Sequence, residues 1–170
     1  AAFGGVTTII EYVIPEENSG IISALDKEIG KAQGVSYVDY SFHLIIRKVT
    51  AQTLAEMAEA AGRGITSFKI YMAYSGFQLA DEDILTLLRT SSSLKTMICF
   101  HAEDGTLVNQ AIHRMEQANS TAFRFYPQAH PRIADVEATR RVIDYAKQLN
   151  ARIHIAHINT REGAQMVTEA

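Results

Sequence analysis

Ile65-Thr66-Ser67-Phe68-Lys69-Ile70-Tyr71 is rich in β-branched and aromatic residues and reads as a short strand with one lysine inside it. What surrounds it decides the fold. Asp81 caps a helix that carries Ile84, Leu87 and Leu88, and Thr96 to Phe100 reads as the next strand. Toward the N-terminus the same alternation continues. Val6 to Tyr12 is a strand, Ser19 to Gln33 a helix with Ile22, Leu25 and Ile29 at helical spacing, and Tyr37 to Ile46 a strand. Thr50 to Ala61 is a helix with Leu54, Met57 and Ala61 on one face. Toward the C-terminus come helices at Thr106 to Ala118 and Ala134 to Asn150, with Pro127 and Pro131 breaking the chain between them. Arg152 to Ala156 is a fifth strand and Thr160 to Glu169 a last helix.

Strands therefore start near residues 6, 37, 65, 96 and 152. The first three intervals are each about 30 residues, the length of a βαβ unit. The fourth is longer because it holds an extra helix and a proline-bounded loop. Strict alternation implies a parallel sheet with right-handed crossovers. Two architectures satisfy it, a doubly wound open sheet and part of a (β/α)8 barrel, and periodicity does not separate them. No linker or low-complexity segment interrupts residues 1–170, which read as one domain. Ala1-Ala2-Phe3-Gly4-Gly5 resembles a glycine-capped helix end, and the chain stops inside a helical pattern, so it reads as an internal stretch of a longer protein.

Composition narrows the function. The net charge of −3 offers no basic excess to neutralise phosphates, which argues against nucleic acid or an anionic membrane as partner. No apolar run approaches a membrane span, and no signal peptide opens the chain. The single cysteine, Cys99, rules out an internal disulfide and suits a cytoplasmic setting. A nucleotide-binding sheet would want a Gly-x-Gly-x-x-Gly turn after its first strand. Here the segment is Val13-Ile14-Pro15-Glu16-Glu17, an acidic and poor phosphate cradle.

In parallel α/β folds functional groups gather at the carboxyl ends of strands. Lys69, His101 and His157 fall near those ends on three successive strands. Neutral imidazoles hold zinc. A lysine cannot as an ammonium. Burial near metal ions would free its amine to take up carbon dioxide, giving an anionic carbamate able to bridge two metals. A paired-metal site then makes water nucleophilic near neutral pH and polarises a carbonyl. Singly, each residue has a plainer reading. Strand-end histidines are more often structural than ligating, and strand-end lysines usually meet a carboxylate or solvent.

The surrounding words carry a resemblance. Ser67-Phe68-Lys69-Ile70-Tyr71-Met72-Ala73-Tyr74 resembles the carboxylated-lysine strand of the hydantoinase and dihydropyrimidinase family. His101-Ala102-Glu103-Asp104-Gly105 and Ile155-Ala156-His157-Ile158-Asn159-Thr160 are similar to its next metal-ligand strands. Gly4-Gly5-Val6-Thr7-Thr8, Asp39-Tyr40-Ser41-Phe42-His43 and Pro131 with Val136-Glu137-Ala138-Thr139 match in order. The resemblance implies strands two to six of a (β/α)8 barrel, without its first and last strands or the attached β-sandwich. It implies ring opening of a cyclic amide by a cytoplasmic homo-oligomer, a tetramer when complete. It also implies two zinc ions bridged by carboxylated Lys69, His101 and His157 as ligands to one of them, and Tyr74 as a donor to the oxyanion.

Departures matter too. The family's His-x-His pair and its last-strand aspartate have no counterpart, so the isolated chain is expected to bind zinc incompletely and to be inactive. A dihydroorotase- or allantoinase-type hydrolase and a non-catalytic scaffold relative are the alternatives. His154, three residues before His157, is expected to face outward or to be structural. His43 is expected to line the barrel and His113 to be solvated. His130 is a loop residue that could approach substrate. Glu103 and Asp104 are expected simply to open a helix, and Cys99 to be buried and inert.

Overall fold

A computed structural model describes residues 1–17 and 19–170. Five strands form one sheet: β1 (Thr8–Val13), β2 (Asp39–Ile45), β3 (Ser67–Tyr71), β4 (Met97–His101) and β5 (Arg152–Ile155). They lie side by side in chain order, every neighbouring pair parallel. Between them run α1 (Ile21–Ala32), α2 (Ala51–Gly62), α3 (Asp81–Leu94), α4 (Gly105–Gln117), the short α5 (Tyr126–Ala129) and α6 (Arg132–Leu149), and α7 (Arg161–Glu169) follows β5.

The registers show which architecture this is. Leu44, Phe68, Ile98 and Ile153 form one row across β2 to β5. That row and its equivalents, Val13, Phe42, Ile70 and Phe100, pack into one core with Leu25, Met57, Leu87 and Val142 from the helices. Successive strand residues point to opposite faces. The row Ile45, Lys69, Cys99, His154 and the pair Tyr71, His101 therefore lie on the other face, away from that core. A doubly wound sheet has helices on both faces and reverses its strand order. This sheet does neither: it is an unclosed arc of a barrel, helices outside and polar residues on the concave side.

Local chemistry starts the helices where the site needs them. Thr50 accepts a hydrogen bond from the Thr53 amide at 3.1 Å and opens α2. Asp104 accepts from the Leu107 amide at 2.9 Å and opens α4 directly after β4. Thr160 accepts from the Gly163 amide at 3.0 Å and opens α7 just after β5. Each is a side-chain oxygen meeting an orphan amide. Strand ends shift by one or two residues from the sequence reading. The shift matters at two places: β4 runs on to include His101, and β5 stops at Ile155, leaving His157 in the following loop.

Candidate metal and amide-hydrolysis site

Lys69 sits in the middle of β3 rather than at its end. Its register partner is Cys99, while His101 pairs with Tyr71, so the lysine lies one side-chain row beneath the histidine. The strand continues two residues past the lysine, which is why the expected alignment of three strand ends is staggered instead. Lys69 is only 3% exposed, and its Nζ has no hydrogen-bond partner. The amine lies 4.8 Å from the centre of the Tyr71 ring and 5.9 Å from that of Tyr12. Burial pushes its pKa down, opposed in part by the Cys99 thiol. A lysine without an anionic partner, in a site that disfavours ammonium, is an amine prepared for chemistry.

Above it, His101 and His157 meet edge to face with ring centroids 4.5 Å apart. Burial, then the neighbouring His101, pushes the His157 pKa down, which keeps its imidazole neutral and able to ligate. Among the described residues, no cluster of three or more His, Cys, Asp or Glu side chains is placed to hold a metal. Two adjacent imidazoles above an unpartnered buried amine nonetheless match the part of a centre that these residues could supply.

Glu103 joins this group, though its position suggested only a helix start. Its Oε2 accepts from His101 Nε2 at 2.7 Å and from the Tyr74 hydroxyl at 3.2 Å, and its Oε1 meets His130 Nδ1 at 3.0 Å. Burial alone would raise its pKa, but the bonds from His101 and His130 outweigh it and hold the carboxyl at about 2. Tyr74 is pushed well above the usual phenol range, first by burial and then by the Glu103 charge. Its phenol is therefore a donor and not a base.

Tyr74 is also unusual in its backbone. Its φ is 74°, a left-handed conformation that costs a side-chain-bearing residue of order 1–2 kcal/mol. The turn holds it there: the Tyr74 carbonyl accepts from the Phe77 and Gln78 amides at 3.1 and 2.9 Å. The ring is thereby placed 4.8 Å from His101, centroid to centroid.

These side chains line a cavity of about 570 Å³ together with Tyr126 and His130. Asp135 reaches the same cavity from α6. Its Oδ2 accepts from the Thr160 hydroxyl at 2.5 Å, while its buried Oδ1 has no partner. Lys69 lies below this cavity rather than in its wall.

Of the two readings given for His154, the outward-facing one is corrected. His154 does not face outward: it is the register partner of Cys99 on the concave face, close enough to His43 to help lower that residue's pKa behind the larger effect of burial. The alternation argument failed because His157 is no longer in the strand, so spacing by twos does not relate the pair. His130 is part of the site, joined through Glu103. His43 does line the concave face, stacked on Tyr12 and bonded to Ser67 Oγ at 2.6 Å.

Known proteins share this fold. A D-hydantoinase from Streptomyces coelicolor is 32% identical over 171 residues, taking in 100% of this chain and 37% of that protein. A D-hydantoinase structure from Bacillus sp. AR9 superposes with a TM-score of 0.93 at 29% identity, covering 99% of this chain and 37% of that one. The chain aligns over its whole length with one stretch of proteins named hydantoinase and dihydropyrimidinase. The dihydropyrimidinase of Rattus norvegicus matches at 27% identity over 100% of this chain and 33% of its own length. The chain thus spans about a third of the length of the relatives it matches. No family model matches it. Among the described residues, no helix is long and apolar enough to cross a membrane.

Proposed function

We propose that the protein carrying this segment opens the ring of a cyclic amide, a hydantoin or a dihydropyrimidine, with zinc as its cofactor and Lys69, His101 and His157 among the ligands. The observation that carries the reading is the buried Lys69 amine without a hydrogen-bond partner, one row beneath two facing imidazoles. Relatives named hydantoinase and dihydropyrimidinase support the same chemistry.

In this reading the neutral Lys69 amine adds carbon dioxide. A C–N bond forms, one proton leaves to solvent, and the product is an anionic carbamate with two oxygens to offer. Zinc, when bound, supplies Lewis acidity toward the ring carbonyl and toward water. His157 holds its ring neutral, adjacent to that of His101. Tyr74 keeps its proton, and on substrate binding turns its hydroxyl from Glu103 to the carbonyl oxygen that becomes negative. A cytoplasmic, homo-oligomeric enzyme is part of the proposal, carried by the family resemblance.

The test is Lys69→Ala in the protein that carries this segment, assayed for zinc per chain and for ring opening of hydantoin and dihydrouracil. The expected result is loss of both, with partial return of activity on adding a short-chain carboxylate. Normal zinc content with normal ring opening in Lys69→Ala would exclude the bridging role.

A further inference from the structure

Glu103 sits among groups that all donate to it. His101 Nε2 lies 2.7 Å from Oε2, the Tyr74 hydroxyl 3.2 Å from the same oxygen, and His130 Nδ1 3.0 Å from Oε1. A carboxylate only accepts, so each partner must present hydrogen. If His101 carried its single proton on Nδ1, the bare lone pair of Nε2 would face a carboxylate oxygen at hydrogen-bond distance, which is repulsive. The carboxylate has little freedom to move out of the way. The next two backbone amides are tied to neighbouring segments, Asp104 to the Ala134 carbonyl at 3.0 Å and Gly105 to that of Met72 at 3.1 Å. His101 and Glu103 are both 7% exposed, so water does not compete freely for the bond.

We infer that Glu103 is a positioning residue that fixes the His101 imidazole as the Nε2–H tautomer and leaves Nδ1 as the ring's only lone pair. Any metal held by His101 then binds through Nδ1. A ligating histidine that donates its other N–H to a carboxylate is oriented and made more basic, and loss of the carboxylate typically weakens metal binding about 10–100-fold. His130 completes the device from the proline-bounded loop: its bond to the second oxygen stops the carboxylate from rotating. Glu103 thus does more than open α4, a task Asp104 performs with its own side chain. The zinc half of the inference rests on the function proposed above; the tautomer half does not.

Both halves can be read separately on the full chain. Long-range proton–nitrogen correlation spectra, recorded well above the ordinary imidazole pKa, report which His101 nitrogen carries the proton. Zinc affinity is measured by competition with a chromophoric chelator. Wild type is expected to show the proton on Nε2. Glu103→Ala is expected to lose that preference and to bind zinc about 10–100-fold more weakly, and Glu103→Gln, whose amide oxygen still accepts, to recover most of both. A proton on Nδ1 in wild type overturns the inference whether or not any variant folds, and so does an unchanged tautomer in folded Glu103→Ala. If the tautomer follows Glu103 as expected but wild type takes up no zinc, the positioning role stands and the zinc hydrolase reading falls.

Discussion

The centre of the sheet and its β1 flank are built from similar residues and behave differently. In β3 and β4, Phe68, Ile70, Ile98 and Phe100 are fully buried on the helix side, and Lys69 and His101 are buried on the concave side. In β1, Ile10 and Tyr12 point to the same concave side yet are 50% and 40% exposed. Each central strand has a paired neighbour on both edges, whereas β1 has one. A lysine on β1 would remain an ordinary ammonium in water. In β3 it becomes an unpartnered amine. The chemistry therefore depends on sheet position as much as on residue type, and burial is what links the two.

That contrast can be broken most directly by stability. Phe100→Ala removes a fully buried ring at the centre and is expected to cost about 3–5 kcal/mol in denaturant unfolding. Ile10→Ala, on the half-exposed flank, should cost well under half as much; equal losses would mean the flank is as tightly packed as the centre. Tyr74→Phe sharpens the functional side. In the protein carrying this segment it should lower ring-opening kcat about 10²–10³-fold, with zinc content unchanged. A Tyr74→Phe enzyme of normal kcat would remove the phenol from the mechanism.

Acid offers a third test at the centre. Glu103 is held at about 2 in the folded chain, against an unfolded carboxylate near 4.3. A depressed folded pKa means the contribution is complete above the unfolded value and disappears as pH falls through the folded one. Unfolding free energy should thus drop by on the order of 2–3 kcal/mol between about pH 5 and pH 2 through this residue. Glu103→Gln should flatten that limb of the pH profile; an unchanged slope would show that other carboxylates govern it. Smallest of all are the helix caps. Thr50→Ala on α2 should cost about 1 kcal/mol. Asp104→Ala should cost more, because Asp104 also holds Arg141 at 2.5 Å.

Much of the fold could be read from the order of its elements. Strand and helix alternate at intervals that admit only a parallel sheet, and the strand positions were right to within two residues. Barrel and doubly wound sheet could not be told apart, because the difference lies in which strands become neighbours and not in local periodicity. The site was legible where it follows strand ends. Lys69, His101 and His157 stand out in the sequence, but their stagger depends on where each strand stops, and that is decided by pairing. Glu103 had a local signal, two residues past His101, that its place at a helix start concealed. His130 had only its place in a proline-bounded loop: its partner Glu103 lies 27 positions away along the chain. His154 was misjudged because a rule for strands was carried two residues beyond the strand's end.

The left-handed backbone at Tyr74 has a consequence for how such a chain would drift. Glycine accepts that conformation without penalty. A population selected only for heat resistance would be expected to replace Tyr74 with glycine, gaining a relaxed turn while discarding its phenol. Retention of tyrosine there would then be a signature of catalysis under continued selection, readable in a lineage without any assay.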